Sequence, residues 1–263
     1  MDEQLPPTIE PAPAAPPPST SLWARLLNVF ATPGDVFNEV KASPHSVSNW
    51  LVPILIYGLA SAMSTFLILS QPAIAQQMRE QQEKMVDAQV QAGKITQEQA
   101  DRQLEAMAAF SGPAAKIGGS IGGFLMGAFV VVGWAFLLWL IARIGLHAQP
   151  GFGKVLEVAG LASLINSLEA VVRMLLIYGL SNPLASPSMA MILKNQDPKN
   201  GLFMLLSLVN FIAIWALIVQ SIGLARLAGA RFARTAIWIF GAWAVLMGIL
   251  MGLGAVARKA FGG

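Results

Sequence analysis

The chain has 263 residues, 55% of them apolar and only 12% charged, with a net charge of +3 and a mean hydropathy of +0.60. Soluble domains run nearer 45–50% apolar and about 25% charged, so lipid is the expected solvent for much of this chain. The composition argues against an ordinary soluble enzyme, a disordered regulator and a nucleic-acid binder, because the basic residues are not massed on one face. There is no cysteine, and His45 and His147 are the only two histidines, which excludes disulfides, thiol nucleophiles and the common zinc sites.

Residues 1–20 hold seven prolines among Ala, Ser and Thr. Proline lacks the amide proton that helices and sheets use, and the stretch has almost nothing to bury, so it reads as a disordered, partly polyproline tail. Without a basic start and an apolar core it does not read as a signal peptide. Residues 21–49 change character. Leu22, Trp23, Leu26, Leu27, Val29 and Phe30 recur at helical spacing. Thr32-Pro33 then signals a second helix start, Asp35 stands in capping-box position, and Val36, Phe37 and Val40 give an apolar face. Two short amphipathic helices ahead of a span are expected to lie in the bilayer interface; a groove for a partner helix is the rival reading.

The membrane domain is expected over residues 50–257. A helix needs about 20 apolar residues to cross the hydrocarbon, and five runs qualify: Trp50–Leu69, Ile117–Ala142, Val155–Leu180, Leu202–Ala225 and Phe232–Ala257. Trp50, Trp139 and Trp238 stand near run ends, where the headgroup region suits an amphipathic ring. The fold class is therefore all-α, a polytopic bundle of five transmembrane helices, closed by a short tail at 258–263. Residues 71–112 interrupt it with six of the 14 acids. They read as an extramembrane helical hairpin: Ile74, Met78 and Met85 form one stripe, Gly93 the break, and Ala100, Leu104 and Met107 the second stripe after a Thr96–Gln99 capping box. Such stripes are expected to form the hairpin's own core, although isolated helices of this length are marginal in water and leave room for a partner. The short loops after spans two and four carry Arg143, Lys154, Arg226, Arg231 and Arg234. That places the N-terminus in the cytoplasm and the hairpin and C-terminus outside, although Arg258 and Lys259 pull the other way.

Among the charged residues, only Glu169 and Arg173 lie near the middle of a run, four apart and so on one helix face. Ser163 and Asn166 continue that face, and span four offers Ser207, Asn210, Gln220 and Ser221. A lone mid-membrane charge costs about 2.5–3.5 kcal/mol on insertion scales, so an acid–base pair inside the bundle is expected. The cluster either relays protons or ions, with Glu169 titrating, or holds spans three and four together. The second reading is favoured, since no aspartate lies in any span. Gly118, Gly122 and the interleaved Gly119, Gly123 and Gly127, with Gly248 and Gly252, give GxxxG spacings expected to pack helices. No HExxH, membrane diaspartate, Walker or dinucleotide pattern is present, so no catalytic, metal or cofactor site is expected.

The stretch NVFATPGDVFNEVKASPHSVSNWLVPILI resembles the entry of the Yip1 domain family, an interfacial helix and a proline-led helix before the first span. LFMLLSLVNFIAIWALIVQSIGLARLAGARFARTAIWIFGAW resembles its fourth and fifth spans, with Phe211, Trp215 and Gly223 in matching places, and the acidic hairpin resembles insertions in bacterial members. The resemblance covers roughly residues 24–257 and implies a five-span membrane protein with a cytoplasmic N-terminus. Members linked to Rab GTPases carry a Tyr-Gly-Pro-type motif, whereas Tyr57-Gly58 and Tyr178-Gly179 are each followed by leucine here, so a Rab-binding role does not carry over. The bacterial branch implies an envelope scaffold or accessory subunit beside export machinery, in the cytoplasmic membrane, with the bilayer and a membrane protein or a second copy as partners. The alternative is a small transporter or channel built around Glu169 and Arg173.

Overall fold

A computed structural model of the chain describes residues 20–109, 113–194, 196–197 and 200–261. Most of the expected tail therefore lies outside the described residues. The elements run α1 Leu22–Ala31, α2 Pro33–Ala42, α3 Ser48–Ser70, α4 Pro72–Gln91, α5 Gln97–Ala109, α6 Pro113–Leu140, α7 Phe152–Leu180, α8 Gly201–Leu208, α9 Phe211–Ala228 and α10 Phe232–Phe261. No strand occurs among the described residues. Five helices are long and apolar enough to cross a bilayer: α3, α6 with its extension to Gly145, α7, α9 and α10. The five-span all-α bundle is thus the observed architecture. Apolar sequence forces this solution, because a helix satisfies its own amides and carbonyls where no water can.

α7 is the hub. Two-thirds of its most apolar window is buried inside the protein, against 28% for α3 and α6 and 6% for α10, so α10 is a peripheral span. One apolar cluster joins α3, α6, α7, α9 and α10 through Ile54, Leu138, Val155, Leu217, Leu224 and Ile239. A second joins α1 and α2 to α7 and α9 through Leu26, Val29, Phe37, Val40, Leu161 and Val219. The apolar stripes of α1 and α2 are therefore turned into the bundle. What α1 leaves outside is a second face with Trp23 and Leu27 exposed.

Several local expectations change for physical reasons. Ser21 caps α1 by accepting from the Ala24 amide (3.2 Å). Thr32 precedes α2 without a side-chain cap bond, so the expected box with Asp35 does not form. The Thr96–Gln99 box does form and is reciprocal: the Gln99 amide donates to Thr96 Oγ1 (3.2 Å) and the Thr96 amide to Gln99 Oε1 (2.9 Å). In the hairpin Val86 and Ala100 are buried and Met85 is exposed instead, while Ile74 packs on the bundle beside Ile177 and Ala185. The Met78 side chain lies outside the described residues. The fourth span begins at Phe211, not Leu202, since the chain leaves the helix at Val209 and is extended at Asn210. There the Met189 amide donates to the Val209 carbonyl and the Phe211 amide to the Pro187 carbonyl, each at 3.1 Å. Eighteen residues rise about 27 Å, just enough to cross. α10 continues to Phe261, through the expected tail.

The glycine stripes resolve into one used and one unused set. Gly119, Gly123 and Gly127 meet α3, where an added Cβ would stand 3.1 Å from Leu69, 3.0 Å from Thr65 and 3.3 Å from Tyr57. Gly118, Gly122, Gly248 and Gly252 face open space within 4 Å, which corrects their assignment to packing inside the chain. A tighter approach lies elsewhere, at Gly160 of α7, where a Cβ would lie 2.5 Å from the Trp50 Cα. Backbone cannot move aside as a side chain can. Gly160→Leu is expected to destabilise the protein by at least about 1–3 kcal/mol, whereas Gly118→Leu and Gly248→Leu should leave thermal unfolding in detergent unchanged.

Candidate functional site

The start of α7 places Lys154 and Glu157 one turn apart, where the apolar run begins. Glu157 is fully buried. A carboxylate in that position is tolerable only when its lone pairs are met by donors and its charge by a cation. Its Oε1 accepts from the Ser46 amide (3.2 Å) and faces Lys154 Nζ at 3.2 Å, and its Oε2 accepts from Asn49 Nδ2 (2.6 Å). The Lys154 ammonium also donates to the Val40 carbonyl (2.6 Å) and the Pro44 carbonyl (3.0 Å). Those two carbonyls belong to the end of α2 and the link into α3.

The network continues outward. Asn49 Oδ1 accepts from Arg25 Nη1 (3.3 Å), and Arg25 Nε pairs with Glu39 Oε2 at 3.2 Å. Glu39 also accepts from Thr20 Oγ1. Arg25 is buried and Glu39 half-buried, so solvent screens this pair less than a surface bridge. Five segments thus meet through one polar chain: α1, α2, the 43–47 link, the start of α3 and the start of α7. Both Glu157 oxygens are occupied, and the arrangement acts as a clamp on the N-terminal helices. Sequence reasoning missed Glu157 and Asn49, which stand at the edges of apolar runs. The one local signal was the Lys154–Glu157 spacing of three at the mouth of an apolar run.

The expected mid-membrane cluster does not assemble as one site. Glu169 and Arg173 form no ion pair; Arg173 is exposed, and Glu169 Oε1 accepts from Asn210 Nδ2 (3.0 Å) instead. Asn210 Oδ1 at the same time caps α9, accepting from the Ile212 and Ala213 amides at 3.1 Å each. Ser163 and Ser167 donate back to carbonyls of their own helix, at Gly160 and Ser163, as Ser207 and Ser221 do to Phe203 and Leu217. Asn166 is half-buried a turn away. Gln220 accepts from the Trp134 indole of α6. The outcome is two separate polar links, α7 to α9 and α9 to α6. Each gives a polar side chain in the bundle a partner across a helix interface. Among the described residues no group of His, Asp and Glu is placed to hold a metal.

The two stretches whose residues carry the family likeness meet in space. Phe37, of the proline-led α2, lies over Gly223 of α9, where a Cβ would come within 3.0 Å of its ring. Phe30 of α1 meets Trp215 edge-on at 5.7 Å. The Yip1 domain family matches residues 27–254 of the chain. The chain belongs to the Yip1 domain family. This is a family of membrane proteins linked to trafficking. No curated protein and no solved structure matches the chain. In this Yip1 domain the clamp fastens α1 and α2 to α3 and α7, and the Phe30–Trp215 and Phe37–Gly223 contacts fasten them to α9.

Removing the clamp's acid strands Lys154 and Asn49 in a buried site. Glu157→Leu is expected to cost about 3–5 kcal/mol, read as a lowered unfolding temperature, and to speed tryptic cleavage after Lys41. Glu157→Gln, which keeps an acceptor, should cost less. Unchanged cleavage and stability in Glu157→Leu would show that the clamp contributes nothing.

Proposed function

We propose that this Yip1-domain protein is a non-enzymatic integral membrane scaffold or accessory subunit, working in export or membrane trafficking in a bacterial cytoplasmic membrane. The observation that carries the reading is the α4–α5 hairpin. Its base is tied to the bundle: Gln71 Nε2 donates to the Tyr178 carbonyl (3.1 Å) and Ser181 Oγ (3.2 Å), Gln77 Nε2 donates to the Ser181 carbonyl (3.3 Å), and Ile74 packs with Ile177 and Ala185. Beyond that base the two helices pack on each other, and Met85 is 58% exposed. A thin two-helix layer of this kind gains from a partner that completes its core. At the opposite end the polar side chains bind one another in the clamp, which supports a structural use of that end.

The basic loops Arg143, Lys154, Arg226, Arg231 and Arg234 lie at the clamp end and favour the cytoplasm for it, with the hairpin outside. A single cysteine in this cysteine-free chain tests both halves of the proposal. Ala88→Cys on α4, carrying a membrane-impermeant maleimide crosslinker applied to intact cells, should capture a partner or a second copy. Ala42→Cys at the end of α2 should stay unlabelled. Labelling of Ala42→Cys in place of Ala88→Cys would overturn the orientation, and labelled Ala88→Cys yielding monomer alone would overturn the scaffold.

A second reading, a small transporter or channel, rests on the break at Val209–Asn210. A span interrupted beside a membrane carboxylate, with Asn210 bonded to Glu169, is a feature of transport sites. It requires a pH-dependent flux in proteoliposomes that Glu169→Gln abolishes while the fold persists. A parent protein without flux would eliminate it.

A further inference from the structure

At the clamp end, α6 runs past its α-helical end into one π-turn, Ile141–Gly145. The Leu146 amide reaches back to the Ile141 carbonyl (3.0 Å) and the Ala148 amide to the Ala142 carbonyl (2.9 Å). Between them His147 adopts φ 53°, a left-handed conformation that a non-glycine residue adopts at a cost. π-turns and left-handed residues of this kind concentrate at functional sites. Here they do something specific. They bring Arg143, His147 and Gln149 around one open cavity of about 270 Å³. None of the three takes part in the clamp.

The cavity's surroundings are those of a lipid headgroup site. The Arg143 guanidinium is held over the Trp139 ring, 4.2 Å from its centroid, which orders the cation without neutralising it. Trp139 in turn stacks with Phe136 at 5.7 Å and meets Phe152 edge-on at 6.3 Å. Phe136 and Phe152 are 52% and 37% exposed, so they offer apolar surface to acyl chains next to the cation. Arg234 Nη2 donates to the Gly145 carbonyl (2.8 Å) and brings a second guanidinium to the same turn. The geometry points to a binding site for the phosphodiester of an anionic phospholipid of the surrounding bilayer. Its phosphate is held by Arg143, His147 and Gln149, and its chains lie along Phe136 and Phe152. Basic pockets at the cytoplasmic ends of spans suit such headgroups, and a guanidinium meets phosphate oxygens with charge-assisted hydrogen bonds.

The test uses the full chain reconstituted with phosphatidylglycerol and phosphatidylcholine of identical acyl chains, transferred to detergent, with retained lipid counted by native mass spectrometry. The parent should retain phosphatidylglycerol in preference to phosphatidylcholine. Arg143→Gln should weaken that retention about tenfold, the loss of one hydrogen-bonded charge. Gln149→Glu, at an exposed position where folding is not at stake, should weaken it comparably by placing an anion in the cavity. Equal retention of the two lipids by the parent, or undiminished phosphatidylglycerol in Gln149→Glu, would overturn the assignment. Inorganic phosphate titrated onto delipidated protein should give no saturable binding; saturable binding of it, sensitive to Arg143→Gln, would overturn the lipid as the ligand.

Discussion

A carboxylate that cannot reach water governs the half of this molecule that holds the N-terminal helices. Glu157 sits on the central helix with no exposed surface, and every group that satisfies it lies in or next to segments that a hydropathy reading places outside the bundle. The Ser46 amide belongs to the link into α3 and Asn49 to its first turn, and Lys154 reaches back to the carbonyls of α2 and its link. Leaving any of these out would strand a buried charge, a penalty of several kcal/mol. The N-terminal helices are therefore integral to the bundle. The apolar cluster of Leu26, Val29, Phe37 and Val40 against α7 and α9 supplies the burial that makes this placement favourable. The polar chain supplies its register.

That constraint produces a molecule with two unlike ends. At the clamp end, short links and internal hydrogen bonds leave little slack. At the other, α4 and α5 extend from a base fixed by Gln71, Gln77 and Ile74. The spans are graded in the same way: α7 is mostly inside, α3 and α6 flank it, and α10 is almost wholly outside. A span that contacts so little protein contributes few packing terms to the fold. Its open Gly248–Gly252 face differs from the used Gly123–Gly127 face in what stands opposite, and the spacing is the same in both.

This contrast explains what could be read in the residues. Span number and order follow from one-dimensional apolar length, and the lipid constraint on backbone bonding makes that length decisive. The Thr96–Gln99 cap was legible because all its atoms lie within three residues of one another. Interactions that depend on a third element were not. Glu169 and Arg173 share a face, but Asn210 from α9 claims the acid and the arginine stays exposed. Gly119, Gly123 and Gly127 could not be told from Gly118 and Gly122 until α3 chose a side. Glu157 was hidden twice, by its place at the mouth of an apolar run and by partners more than 100 residues away in the chain.

The break in span four shows the same principle at a single residue. Leu202–Ala225 reads as one continuous apolar run, and propensity alone gives no reason to divide it. Asn210 divides it by offering three bonds at once: its Oδ1 caps two amides of α9, and its Nδ2 meets Glu169. The flanking carbonyl and amide at Val209 and Phe211 then pair with Met189 and Pro187, so the unwound turn leaves those backbone groups bonded. A helix would have satisfied the backbone equally well but left Glu169 without a donor. The half-buried acid thus favours the break in the helix beside it, as Glu157 favours the placement of α1 and α2. In this chain the scarce charges are the residues that choose among folds which the abundant apolar ones would permit.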